Sequence, residues 1–113
     1  MHFCFTGQYT PEALNAIMDN PTTNRYEATE KLIEAGGGKL ISMYSTSAEG
    51  PGTLIIYDMP DPSAAVAITG IAVASGAAQN VKLTRLFTQE EITHVRHTAV
   101  KLRGSYKPPH AKN

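Results

Sequence analysis

The sequence has a single cysteine, Cys4, so no intrachain disulfide can form. That thiol lies in an apolar run, the pattern of a buried cysteine in a reducing compartment. Charge of one sign is also missing: ten Lys plus Arg balance ten Asp plus Glu, with no basic block before the tail. Without a positive footprint, nucleic acid is not an expected partner. The longest apolar helix is interrupted by Thr69 and Gly70 and is shorter than the roughly twenty residues a bilayer span needs. The amino terminus shows neither a basic n-region nor a long h-region. The expectation is a cytoplasmic protein without membrane contact.

Chemical motifs are equally sparse. There is no Gly-x-Ser-x-Gly elbow and no Cys-x-x-Cys pair, and the Gly36–Gly38 triplet follows a helix instead of opening one, the wrong context for phosphate. Hydrolase, nucleotide-binding and dithiol redox chemistry are therefore set aside. No internal repeat is found, and no cofactor is expected. The residues alone lead to an α+β domain with a pocket, without naming a reaction.

What is present is organised around the apolar block from Thr53 to Gly76. Thr53 to Met59 is short, β-branched and aromatic and predicts a buried strand; Asp61 and Pro62 then supply an N-cap and a first helical residue, and Gly76 a stop. On that helix Val66 and Val73 fall on one side and Ile68 and Ile71 on nearly the other, so it needs two apolar partners: its own sheet and, most simply, another subunit. Before this block, His2 to Gln8 alternates as a strand, with Phe3, Phe5 and Gly7 on one face and His2, Cys4 and Thr6 on the other. Thr10 and Pro11 open a short helix to Met18, and Asn20 and Pro21 open an amphipathic one to Ala35, stopped by the glycines. Lys39 to Ser45 and Asn80 to Phe87 read as strands. Thr88 with Glu91 forms a capping box for a last helix ending near Leu102.

This order is that of the split βαβ, or ferredoxin-like, arrangement: an antiparallel sheet with helices on one face and an extra C-terminal helix. Residues 1–103 are expected to form the one domain, and 104–113 a polar tail. The uncovered sheet face would be a liability in water, so pairing of two copies through it is expected.

Several short pieces resemble the small bacterial GYD-domain proteins in order and spacing: Tyr9-Thr10, Asn20-Pro21 with Arg25 four on, Gly37-Gly38-Lys39, Pro60-Asp61, Ser75-Gly76, Thr84-Arg85 and Thr88 to Glu91. The resemblance covers about residues 9 to 92. It implies the dimeric α/β-barrel form of the ferredoxin-like fold, two sheets packed face to face, and a biochemical role that is largely undefined. Where the family carries its Gly-x-Tyr-Asp signature, this chain has Ala48-Glu49-Gly50-Pro51-Gly52, so whatever that pair does elsewhere is not transferred.

Four residues are candidates for a ligand site. Arg25, placed between Leu32 and Thr29 on the helical wheel, falls on the arc facing the sheet, where a guanidinium must be paired. It anchors a carboxylate, enolate or phosphate through its planar fork, or forms a structural ion pair with Asp58, Asp61 or Glu49, or snorkels out of the first helical turn. Tyr9, Tyr44 and Tyr57 follow, end or lie within strands and could line one cavity as hydroxyl donors, or serve as core and subunit interface. Glu90, His94 and His97 share one side of the last helix, but it is the solvated side, opposite Ile92, Val95, Ala99 and Leu102, and no metal site is assigned. His2 sits beside Cys4 and Thr6 and reads either as a base or as a frayed terminal residue.

Two functions from different classes remain. The first is a homodimer binding a small organic ligand, extending to a cofactor-free enzyme acting on an acidic or aromatic compound, by analogy with isomerases, cyclases and oxygenases on this fold. The second is a non-catalytic structural or regulatory oligomer. Whether the chain is an enzyme is left open, and the state of Arg25 in a cavity separates the two.

Overall fold

A computed structural model describes residues 1–110. Four strands, β1 (His2–Tyr9), β2 (Lys39–Thr46), β3 (Gly52–Asp58) and β4 (Ala78–Leu86), form one sheet in the order β2-β3-β1-β4 with every neighbour antiparallel. The central strands β1 and β3 are the most apolar, and the connections β1-to-β2 and β3-to-β4 are helical, which is the ferredoxin-like α+β fold. Helices α1 (Pro11–Asp19), α2 (Arg25–Ala35), α3 (Pro62–Ala74) and α4 (Gln89–Leu102) follow in chain order, and a 3-10 turn covers Arg103–Ser105. The tail expected from residue 104 begins in that turn. Its last residues, 111–113, lie outside the described residues.

Local chemistry sets the helix starts. Thr10 accepts the Ala13 N–H at 3.1 Å and donates to the Gly76 carbonyl at 2.5 Å, so one hydroxyl caps α1 and ties it to the end of α3. Asp61 accepts the Ser63 N–H at 2.9 Å with Pro62 at the first helical position. The expected capping box opens α4: the Glu91 N–H donates to the Thr88 hydroxyl at 3.1 Å, and the Thr88 N–H to the Glu91 carboxylate at 3.0 Å.

Helix α2 departs from the sequence expectation, because it begins at Arg25 and not at Pro21. Residues 20–24 form a turn in which the Thr23 N–H and hydroxyl both donate to the Asn20 carbonyl, at 3.0 and 2.6 Å, and Asn24 accepts the Glu27 N–H at 2.9 Å. Short polar side chains that bond the nearby backbone displace the helix start by one turn.

Cross-strand register assigns the faces. Phe3 stands opposite Tyr57 and Phe5 opposite Ile55, all buried on the inner face, where the Phe3 and Tyr57 rings stack at 5.9 Å. They meet Ile33 of α2 and Ala65 of α3, both fully buried. Helix α3 lies on the sheet through Ala65, Ile68 and Ala72; its other apolar side, Val66 and Val73, is exposed, and so is Ile71, which the wheel sets with Ile68. The outer sheet face differs from the apolar surface expected of it. Leu54, Ile56 and Leu86 share it with His2, Thr6, Gln8, Asp58, Lys82 and Thr84, because the period of two gives polar residues to these alternate positions.

No residue of α4 is buried; only Glu91 and Ile92, in its first turn, are half-covered. The helix projects, and the molecule measures 64 × 31 × 22 Å. No helix among the described residues is long and apolar enough to cross a membrane.

Candidate ligand pocket

Between α2, α3 and the inner face of the sheet lies a cavity of about 230 Å³. Its floor is Phe5, Gly7, Thr53, Ile55 and Tyr57; Leu32 and Ile33 wall one side and Ile68, Ile71 and Ala72 the other. The space exists because small residues stand where a packed core would have large ones. Gly7 faces the helices from the middle of β1 without a side chain, and Ala72 and Ala78 line the α3 side. A Cβ on Gly7 would come within 3.0 Å of Val81 Cγ1 and 3.1 Å of the Phe5 ring, so Phe5 holds its place only beside glycine.

The lining is short of reactive groups. It contains no carboxylate, imidazole, amine or thiol; the polar side chains on its inner lining are Tyr9, Arg25, Thr29, Thr53, Tyr57 and Ser75, and Arg25 carries the one charge. Thr53 is already satisfied, donating to the Tyr44 carbonyl at 3.3 Å.

Arg25, as the first residue of α2, is exposed instead of lying within the helix-sheet contact, a direct consequence of the later helix start. It stands at the rim, where it also borders two shallower grooves shared with Tyr9, Ile17 and Thr23. Among the described residues it has no ion-pair partner. The carboxylates expected to pair with it are elsewhere. Asp58 meets the Met1 amino group at 2.8 Å, Asp61 caps α3, and Glu49 turns the β2–β3 connection with φ of 59°.

Tyr57 occupies the inner end. It is 1% exposed, and its hydroxyl is buried without a hydrogen-bond partner. Burial pushes its pKa from 10.0 up to about 12, so the phenol stays neutral and keeps its proton to donate. Tyr9 is half-buried at the rim, its N–H donating to the Pro51 carbonyl at 3.0 Å, which sets the altered 48–52 connection beside the mouth.

Tyr44 does not join the other two tyrosines in the cavity. Opposite Leu54 in the β2–β3 register it belongs to the outer face, is 62% exposed and borders only one of the shallow grooves with Tyr9 and Arg25. The register slips by one residue between Leu40 and Ser42, which decides the face of each residue after it. His94 and His97 are exposed on α4, and His2 is half-buried on the outer face next to Cys4.

The residue missed from sequence is Arg85. The alternation Val81, Leu83, Arg85 sets it on the inner face, where its guanidinium pairs with Glu91 and lies 4.5 Å from the Phe87 ring centroid and 5.8 Å from that of Phe3. It joins α4 to the sheet and stands apart from the cavity lining.

A ferredoxin-like sheet with one helical layer and a pocket between the two defines the class. Within it, the family model described as GYD domain matches residues 3–95, and the chain belongs to that family. No curated protein matches the sequence.

Proposed function

We propose that the chain binds a small organic acid in the cavity between α2, α3 and the sheet. The observation that carries this reading is the unpaired Arg25 at the rim of a cavity whose other lining is neutral and mostly apolar. An apolar enclosure with one convergent cation favours an anion with a hydrophobic body. At about 230 Å³ the space is below the range of drug-sized ligands and fits a metabolite with one ring or a short chain. With no carboxylate, imidazole or amine in the lining, proton abstraction near neutral pH has no obvious base, and binding is the better-supported role.

The test is calorimetric titration of small arylalkanoate anions into the wild-type protein and Arg25→Gln. The variant should bind at least tenfold more weakly, the cost of one charged hydrogen-bond partner, with an unchanged melting temperature because Arg25 is exposed. Equal affinity in both proteins would sink the reading.

A homodimer joined through the outer sheet face is proposed alongside it. The support is the one-sided helical layer, which leaves Leu54, Ile56 and Leu86 without cover, and the second apolar side of α3 at Val66 and Val73. These surfaces also favour the alternative of a non-catalytic assembly protein, for which the cavity would stay empty under the titration above.

A further inference from the structure

Resting on the pocket reading above, we infer that the ligand is two-ended: an acid at the rim and, on the far side of an apolar body, an oxygen or ring nitrogen that accepts a hydrogen bond from Tyr57. The class is oxo- or hydroxy-substituted aryl or alkyl carboxylates, in place of plain hydrophobic acids.

Tyr57 is the reason for the second end. In a core packed only for stability its position would suit phenylalanine, since the ring already stacks on Phe3 and the hydroxyl has no partner. An unpaired buried hydroxyl is destabilising, and such groups occur where a ligand completes them. The hydroxyl is not screened by solvent, as the residue is 1% exposed, and the same residue forms part of the cavity lining. Its high pKa keeps the proton in place throughout the neutral range, so it offers a donor.

The two polar groups are separated along the sheet. Tyr57 faces Phe3 and Leu40, Thr53 faces Gly7, and Arg25 lies past the Thr53 end with Tyr9. The four steps along β3 from Thr53 to Tyr57 span about 13 Å, and the floor between them is Ile55, Phe5 and the bare Gly7. A ligand reaching both ends is elongated, with an apolar middle over Ile55 and Gly7. A compact acid would satisfy Arg25 and leave Tyr57 as it is.

Two probes separate these cases: 3-phenylpropanoate and 3-(4-acetylphenyl)propanoate, titrated into wild-type protein, Arg25→Gln and Tyr57→Phe. The acetyl compound is expected to bind wild type about tenfold tighter than its parent, the value of one added hydrogen bond. Tyr57→Phe should erase that ratio and leave the parent's affinity intact, while Arg25→Gln weakens both probes together. Equal binding of both probes to wild type, with the Arg25 effect retained, overturns the two-ended ligand and leaves the acid pocket standing. A ratio that survives Tyr57→Phe does the same. Absence of binding by either probe overturns both the inference and the reading on which it rests.

Discussion

At the scale of single residues, Tyr57 combines a structural cost with a chemical opportunity. Its ring stacks on Phe3 and fills the inner end of the core, while its hydroxyl is the one buried side-chain polar atom without a partner among the described residues. We predict that Tyr57→Phe raises the unliganded protein's stability by about 1 kcal/mol in chemical denaturation, since an unsatisfied group is removed and the packing is kept. The same group sets an alkaline limit. Its folded pKa, about 12, exceeds the ordinary 10.0, so the unfolded chain loses this proton first, and stability present below pH 10 is lost as pH rises towards 12. The phenylalanine variant should lack that part of the alkaline decline, read as the melting temperature across the same pH range. An identical decline in both proteins would assign it to other groups. Arg25 shows how one residue's fate follows from its neighbours: Thr23 and Asn24 turn the chain, so that Arg25 is the first residue of α2 and not the fifth of a helix starting at Pro21.

At the scale of elements, α4 depends on its first turn. The capping box formed by Thr88 and Glu91 and the Arg85–Glu91 pair hold it to the sheet, and everything after Ile92 in the helix is exposed. The Arg85 guanidinium and the Thr88 N–H hold the Glu91 carboxyl at about 2, below its ordinary 4.5. A lowered acid stabilises the folded form above its unfolded pKa, so this contribution is complete above about pH 5 and is lost as pH falls from 4.5 towards 2. Loss of helical circular dichroism in that acid window is expected in wild type. Glu91→Gln should reach the acid value already at neutral pH, and Thr88→Ala should cost the helix about 1 kcal/mol. If both variants keep the wild-type helicity at every pH, the first turn is not what holds α4.

At the scale of the whole molecule, a radius of gyration of 18.3 Å stands against about 13 Å for a compact chain of this length. The projecting α4, followed by exposed residues 103–107, extends the molecule and, with the one-layered sheet, leaves surfaces that a second copy would cover. Light scattering should give twice the monomer mass. Ile56→Glu, which sets a charge in the middle of the outer face opposite Cys4, should yield monomers without loss of the inner core. A monomeric wild type would exclude the outer face as a stable interface. A dimeric Ile56→Glu protein would move the interface to α3 or α4.

Sequence by itself determined the elements and their order. Alternation in His2 to Gln8, the Thr10-Pro11 and Asp61-Pro62 starts and the Thr88–Glu91 box are local signals, each expressed within four or five residues, and the structure reproduces them. Ferredoxin-like topology follows from that order, and family membership from the spaced pieces now matched over residues 3–95. What tertiary structure alone decided is which residues meet. Tyr44 and Tyr57 look alike in sequence, yet a one-residue slip in β2 after Leu40 sends Tyr44 to the outer face and water, while the unbroken β1–β3 register keeps Tyr57 on the inner face opposite Phe3. Arg85, one polar residue in an alternating strand, becomes the joint for α4 because Glu91 is folded back onto it. The cavity is a matter of volume left between three elements, fixed by Gly7, Ala72 and Ala78 together, and no local pattern encodes a sum of that kind.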